Sequence, residues 1–160
     1  MKDLTKYPKA LQLLMQTDGT VTELIKLLSG EDIKVIKLSE QIDEKSRLLY
    51  RHIFLQGVDS GKNWLYAKSK IHLDNLPVKF VDDLLRKTIP IGTLWINYRM
   101  ETFKKLTNQS EETSEQASDF GFKFGTKLLT RAYHVYNNQK LIMEIKEKFP
   151  IIEYENLIKS

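Results

Sequence analysis

Two pairs of extended segments, each joined by a short turn, constrain the fold of this 160-residue chain more than any other sequence feature. Residues 48–55 and 64–73 are rich in β-branched and aromatic side chains, and a glycine-containing turn separates them. Residues 127–136 and 141–149 repeat this pattern around the turn at 137–140. Short turns join antiparallel strands, whereas parallel strands need a long crossover. The pattern therefore predicts two antiparallel hairpins.

Helical segments precede and follow the first hairpin. Thr20 opens an S/T-x-x-E capping box ahead of an apolar run, and Gly30 fits the left-handed position that ends such a helix. Another helix follows Pro77 and ends near the Pro-Ile-Gly turn at 90–92. Short strands are predicted at 33–38 and at 98–106.

Residues 107–119 are polar and acidic, so we expect a solvated surface loop there, with a lid over a site as the alternative.

Helices followed by at least four strands, joined largely by hairpins, indicate an α+β fold in which helices cover one face of an antiparallel sheet. No glycine-rich nucleotide-binding loop is present in the sequence. The chain length fits a single domain over residues 1–160.

The composition excludes several kinds of chemistry. The absence of cysteine excludes disulfides, thiol catalysis, iron–sulfur clusters and thiolate zinc sites. The three histidines, His52, His72 and His134, include no pair at the i, i+4 spacing that brings two imidazoles together on a helix. We therefore predict no metal site.

The charge and hydropathy patterns predict a cytoplasmic protein with a mildly basic, solvated surface. The formal net charge is +4, but lysines and glutamates are interspersed, so we expect no nucleic-acid partner. No apolar run approaches the length of a membrane span, and the N-terminal sequence lacks the apolar stretch of a signal peptide. Without a heptad seam or a long apolar edge, the default expectation is a monomer.

Three charged residues fall on the apolar face of their strands. Successive side chains of a strand point to opposite faces of the sheet. Arg51 therefore shares a face with three aliphatic residues, Arg131 lies among apolar residues of its strand, and Glu147 points inward while Glu144 points outward. One explanation is a buried ion pair that only holds the core. Two arginines against one glutamate favour a pocket for an anion, since the planar fork of arginine binds a carboxylate by two parallel hydrogen bonds. A small carboxylate is favoured over a phosphate because the sequence has no phosphate-binding loop.

The order of several segments resembles the chorismate lyase (chorismate pyruvate-lyase) family, in particular its branch from archaea and Gram-positive bacteria. The resemblance covers roughly residues 17–150, and no single motif carries it alone. The segments that carry it are TDGTVT at 17–22, LYRHIFL at 49–55, WLYAKS at 64–69, LDNLP at 73–77, PIG at 90–92, RMET at 99–102 and IKEKFP at 145–150.

The resemblance implies a lyase that needs neither metal nor cofactor and converts chorismate into 4-hydroxybenzoate and pyruvate. It implies a pocket enclosed beneath helices that pack on an antiparallel sheet. In the family, a strand arginine binds the ring carboxylate, a main-chain amide of the Pro-aliphatic-Gly turn assists, and a glutamate of the last strand meets the ring hydroxyl. These residues correspond to Arg51, Ile91 and Glu147. Thr20, Val21 and Gly92 are also expected to contact the substrate.

Several alternatives remain open at this point. Arg131 or Lys68 could neutralise the enolpyruvyl carboxylate, although Lys68 stands where the family has an arginine and lies on a mixed face that could simply be solvated. Glu144 competes with Glu147 on alignment alone, and parity favours Glu147. The competing functions are a non-catalytic sensor of aromatic carboxylates, a basic protein that contacts nucleic acid or a membrane, and a lyase for a related enolpyruvyl substrate.

Overall fold

A computed structural model describes residues 3–86, 89–114 and 122–157. These residues form four α-helices and one six-stranded antiparallel sheet. The elements, in chain order, are α1 (Lys9–Gln16), α2 (Val21–Ser29), β1 (Ile33–Asp43), β2 (Leu48–Gly57), β3 (Asn63–His72), α3 (Val78–Arg86), α4 (Ile91–Asn97), β4 (Phe103–Thr113), β5 (Lys127–Asn137) and β6 (Lys140–Pro150).

The sheet consists of two three-stranded meanders that meet in its centre. The strand order is β1-β2-β3-β6-β5-β4, and every neighbouring pair is antiparallel. Both predicted hairpins are confirmed as β2–β3 and β5–β6, and the α+β class is confirmed with them. Strand β6 lies between β3 and β5, so its side chains are far from either edge of the sheet.

The helices cover one face of the sheet. Apolar side chains from all four helices, among them Leu14, Ile25, Phe80 and Trp95, join the inward residues of the strands in one core. A smaller apolar cluster of Phe54, Tyr66, Phe122 and Leu128 lies on the opposite face, which we call the outer face. None of the helices among the described residues has the length and apolar content needed to cross a bilayer.

Four local predictions need correction. The segment at 107–119 is not a loop up to residue 113, because β4 continues through it, and residues 115–119 lie outside the described part of the chain. An edge strand has one partner and a solvated rim, so a polar sequence can form it. The strand predicted at 98–106 begins only at Phe103, and the strand predicted at 33–38 extends to Asp43. Thr20 is the N-cap of α2, but its side chain makes no capping hydrogen bond.

Glu31, two residues before β1, holds the turn between β2 and β3. Its Oε1 accepts hydrogen bonds from the main-chain N–H groups of Asp59 (3.0 Å) and Ser60 (2.9 Å), and its Oε2 accepts one from the Ser60 hydroxyl (2.6 Å). Burial opposes ionisation of Glu31, but these donors outweigh it and lower the pKa of the carboxyl group. A β-carbon at position 57 would lie 2.3 Å from the Glu31 carboxylate, so a glycine is needed there for the carboxylate to come this close to the main chain.

We expect Glu31→Gln to lower the thermal midpoint of unfolding by about 2–4 °C at neutral pH, because the amide cannot accept all of these hydrogen bonds. A carboxyl group with a lowered folded-state pKa stabilises the protein above its unfolded pKa and loses this effect as the pH falls through its folded pKa. Thermal melts should therefore show that the difference between the wild type and the variant narrows below pH 4.5. A difference that stays constant down to pH 2 contradicts this role of the carboxylate.

Candidate functional site

Three charged side chains are buried on the helix-covered face of the sheet. Arg51, Arg131 and Glu147 are only 2%, 3% and 2% exposed. Strand alternation directs each of them inward between apolar neighbours of the same strand. Burying a charge without a partner costs far more than burying an apolar group, so the partners of these three groups define the chemistry of the site.

Arg131 and Glu147 form an ion pair at the centre of the sheet. They face each other in the register of β5 and β6, and the Arg131 Nε–H donates a hydrogen bond to Glu147 Oε1 at 2.7 Å. Burial alone lowers the pKa of an arginine, but the Glu147 carboxylate outweighs this effect and raises the pKa of Arg131. Arg131 Nη1 also donates to the main-chain carbonyl of Thr17 at 3.1 Å, which ties the loop between α1 and α2 to the sheet.

Tyr133 lies next to this pair on the inward face of β5. It is 5% exposed, and burial together with the nearby Glu147 charge raises the pKa of its hydroxyl well above 10. Tyr133 therefore stays protonated and neutral, and its hydroxyl can act as a hydrogen-bond donor within the site.

Arg51 has an incomplete set of partners. Its Nε lies 3.4 Å from Oε2 of Glu40 on the neighbouring strand β1, without hydrogen-bonding geometry. Neither Nε nor Nη2 of Arg51 has a hydrogen-bond partner among the described residues. Burial lowers the pKa of Arg51, because Glu40 compensates the loss of water only in part. The buried guanidinium therefore retains the capacity to bind an anion.

A small cavity brings five of the predicted substrate-binding residues together. Its volume is about 50 Å³, and it lies between the sheet and the first turns of α2 and α4. Its walls include Thr20, Val21, Ile91, Gly92 and Glu147. The predicted Pro-Ile-Gly turn is the beginning of α4, where the first main-chain N–H groups have no acceptor within the helix.

The other predicted site residues lie outside the wall of this cavity. Arg131 is hydrogen-bonded to Glu147, which lines the cavity. Arg51 lies two residues from Ile53 on the same face of β2, and Ile53 lines the cavity. Lys68 does not join the site: its register with His52 and Lys146 puts it on the outer face.

The outer face also holds Glu144, the alternative to Glu147. Glu144 lies 3.2 Å from His72 Nε2 and 3.4 Å from Lys70 Nζ. Burial opposes ionisation of Glu144, but the hydrogen bond with His72 and the charge of Lys70 outweigh it and lower the pKa of the carboxyl group. Glu144 therefore lies on the outer face and Glu147 on the inward face, as parity along β6 predicted.

A second cavity, of about 160 Å³, lies beside the first and contains a residue that the sequence analysis missed. Lys104 of β4 lines both cavities, as does Tyr133. Its Nζ donates a hydrogen bond to the main-chain carbonyl of Gly19 at 2.8 Å. Apolar and polar residues do not alternate along β4, so its sequence does not show which face points inward. The sequence therefore could not place Lys104 on the inward face.

The described residues give no geometric basis for a metal centre. Across 3–86, 89–114 and 122–157, no group of three or more potential metal-binding side chains is close enough to hold an ion.

Comparison with known proteins identifies sequence relatives over most of the chain. A family model described as "Chorismate pyruvate-lyase Rv2949c-like" matches residues 15–157. Chorismate pyruvate-lyase of Mycobacterium tuberculosis is 24% identical over 171 aligned residues, covering 92% of this chain and 83% of the relative. The enzyme of the same name from Mycobacterium leprae is 28% identical over 116 residues, covering 65% of this chain and 55% of the relative. This second match thus spans about half the length of that relative.

The fold also occurs in a solved structure of low sequence similarity. PhnF from Mycobacterium smegmatis superimposes with a TM-score of 0.62 at 12% identity, covering 88% of this chain and 67% of that chain. At this identity the similarity concerns the fold alone.

Gly92 of α4 packs against Thr20 at the beginning of α2, and this contact limits the distance between the two helices above the cavity. A β-carbon at position 92 would lie 2.4 Å from Thr20 Cγ2. We expect Gly92→Ala to destabilise the protein by about 1–3 kcal/mol through overpacking, as measured by denaturant unfolding. Thr20→Ser removes Cγ2, so the double variant should recover most of this loss. Equal destabilisation of Gly92→Ala in both backgrounds contradicts the proposed contact.

Proposed function

Because this chain belongs to the Rv2949c-like family of chorismate pyruvate-lyases, we propose that it converts chorismate into 4-hydroxybenzoate and pyruvate without a metal or an organic cofactor. The observation that carries this proposal is the unfilled hydrogen-bonding capacity of two arginines on the buried face of the sheet. Arg51 and Arg131 lie within the core, and Glu147 compensates only Arg131 by a hydrogen bond. Chorismate carries two carboxylates at neutral pH, so such a site compensates its charge.

Arg51 is proposed to bind the ring carboxylate. Its Nε and Nη2 have no hydrogen-bond partner among the described residues, and a carboxylate accepts two parallel hydrogen bonds from a guanidinium. Glu40 forms an ion pair with the Nε at 3.4 Å but no hydrogen bond, so the hydrogen-bonding capacity of this donor pair is unfilled. The ring of the substrate would then lie over Ile53 and Ile145, which line the cavity.

Glu147 is proposed to meet the ring hydroxyl at the other end of the ring. Arg131 holds its Oε1, which fixes the carboxylate in one orientation. In the reaction, the bond between the ring carbon and the enolpyruvyl oxygen breaks, and the neighbouring ring carbon loses a proton, which makes the ring aromatic. The released enolpyruvate takes up a proton on carbon and becomes pyruvate. Glu147 is the carboxylate in the cavity wall that can accept the ring proton.

The small volume of the cavity implies that substrate binding separates the helices from the sheet. A volume of about 50 Å³ holds one or two water molecules, whereas ligand pockets have about 300 Å³ or more. Helices α2 and α4 meet at Thr20 and Gly92 directly above the cavity, so movement at this junction gives access to Glu147. Closure around the substrate then excludes water from the reacting ring.

The direct test is to incubate chelator-treated protein with chorismate and to measure pyruvate and the aromatic product by chromatography. Equal amounts of 4-hydroxybenzoate and pyruvate, formed faster than the spontaneous background, support the proposal and its independence of metal. Binding of 4-hydroxybenzoate without turnover of chorismate contradicts it and favours a sensor or a lyase for another enolpyruvyl substrate.

Glu147 and Glu144 provide a matched pair of variants, because they lie on opposite faces of the same strand. We expect Glu147→Gln to lower kcat by at least about 100-fold, since the amide cannot accept a proton. The amide oxygen can still accept the hydrogen bond from Arg131, so the variant should remain folded by circular dichroism. Glu144→Gln should retain wild-type turnover. Similar activities of the two variants contradict the role of Glu147.

Arg51 and Lys68 provide a second matched pair, because both are cationic and they lie on opposite faces of neighbouring strands. We expect Arg51→Met to weaken the binding of 4-hydroxybenzoate roughly 10- to 100-fold, because the product keeps the ring carboxylate but loses its guanidinium partner. Lys68→Met should leave this affinity unchanged. Isothermal titration calorimetry with both variants measures the effect, and full affinity in Arg51→Met contradicts the anchoring role.

A further inference from the structure

Lys104 is the cationic side chain at the boundary between the two cavities. It belongs to the edge strand β4, opposite Val135 of β5, and its side chain reaches inward over the ring of Tyr133 at 5.3 Å from the ring centroid. Lys104 and Tyr133 are the residues shared by the walls of both cavities in the described part of the chain. A ligand that extends from Glu147 toward the second cavity therefore passes Lys104.

The ammonium group of Lys104 has no carboxylate within ion-pair distance among the described residues. Its hydrogen-bond partner is the neutral Gly19 carbonyl, at 2.8 Å. Glu147 and Asp18 raise its pKa at longer range, but Glu147 is hydrogen-bonded to Arg131 and Asp18 is exposed to solvent. Lys104 therefore contributes a positive charge that the protein does not pair directly.

The environment of Lys104 increases the benefit of an anionic partner. Burial has the largest effect on the pKa of Lys104 and lowers it, and the charge of Arg131 lowers it further. The carboxylates of Glu147 and Asp18 offset these effects only in part. An anion that enters the cavities restores a favourable interaction to this half-buried ammonium group.

We propose that Lys104 binds the second carboxylate of the substrate, the one on the enolpyruvyl group, and exchanges the Gly19 carbonyl for it. This inference rests on the proposed function, which assigns the ring carboxylate to Arg51. The two cations suggested by the sequence are less suited to this role. Lys68 lies on the outer face. Arg131 lines the second cavity and has an unpaired Nη2, but its Nε and Nη1 are held by Glu147 and the Thr17 carbonyl, so it is less free than Lys104 to turn toward a ligand.

The exchange connects substrate binding to the loop between α1 and α2. Three side chains of the sheet hold the end of α1 and this loop through main-chain carbonyls: Gln109 donates to Met15 of α1 at 3.2 Å, Arg131 to Thr17 and Lys104 to Gly19. Binding of the enolpyruvyl carboxylate removes the last of these bonds next to Thr20, where α2 closes over the first cavity. When pyruvate leaves with this carboxylate, Lys104 returns to Gly19.

The test compares a dianionic ligand with a monoanionic one. Chorismate carries both carboxylates, whereas 4-hydroxybenzoate keeps only the ring carboxylate. In Lys104→Met, we expect the KM for chorismate to rise at least about tenfold, while the inhibition constant of 4-hydroxybenzoate changes less than about twofold. Lys105→Met is the matched control, because Lys105 is the exposed neighbour on β4 and lies opposite His134 of the outer face. Both constants should keep their wild-type values in this control.

Two further variants separate charge from loop structure. Lys104→Gln can still donate a hydrogen bond to the Gly19 carbonyl but has no charge, so its KM should rise as in Lys104→Met. Lys104→Arg keeps the charge and should recover much of the lost affinity for chorismate. If Lys104 only holds the loop, Lys104→Gln behaves like the wild type, or both ligands weaken equally in Lys104→Met, and either result overturns the inference.

The wild-type protein in the same experiment distinguishes the two proposals. Turnover of chorismate by the wild type, with an unchanged KM in Lys104→Met, overturns the role of Lys104 and leaves the proposed function intact. Absence of turnover by the wild type overturns the proposed function and, with it, the assignment of Lys104 to the enolpyruvyl carboxylate.

Discussion

The buried ion pair between Arg131 and Glu147 is the interaction on which the rest of this structure depends. It spans the two strands at the centre of the helix-covered face, where neither group can reach bulk water. An ion pair in such a place requires hydrogen bonds for its remaining donors, because desolvation of the two charges is costly. Arg131 obtains one of these bonds from the Thr17 carbonyl. The charge at the centre of the sheet therefore determines where the loop between α1 and α2 lies, and with it the beginning of α2.

The remaining cations of the buried face have weaker partners than Arg131. Arg51 has Glu40 nearby without a hydrogen bond, and Lys104 has only a main-chain carbonyl. Folding alone favours apolar residues at such positions, since they stabilise a core without a desolvation penalty. The two incompletely paired cations lie on either side of Glu147 and support a site for a ligand that carries a negative charge at each end. The proposed reaction supplies such a ligand.

Alternation along the strands predicted much of the candidate site. Parity identified Arg51, Arg131 and Glu147 as inward residues from the sequence, because their strands have regular apolar neighbours and lie within the sheet. It also distinguished Glu147 from Glu144. The same reasoning gave no answer for Lys104, because β4 is an edge strand whose two faces are both polar. The polar segment that contains most of β4 was therefore predicted as a loop.

The sequence by itself determined the hairpins, the α+β class and the faces on which the central charges lie, since these follow from local turn chemistry and from the two-residue period of a strand. Only the tertiary structure decided which charges meet. The adjacency of β3 and β6 places Lys68 opposite Lys146 on the outer face. The crossing of α2 and α4 places Thr20 against Gly92 above Glu147. Contacts of this kind join residues far apart in the chain, and their geometry depends on how the elements pack, which no local pattern encodes.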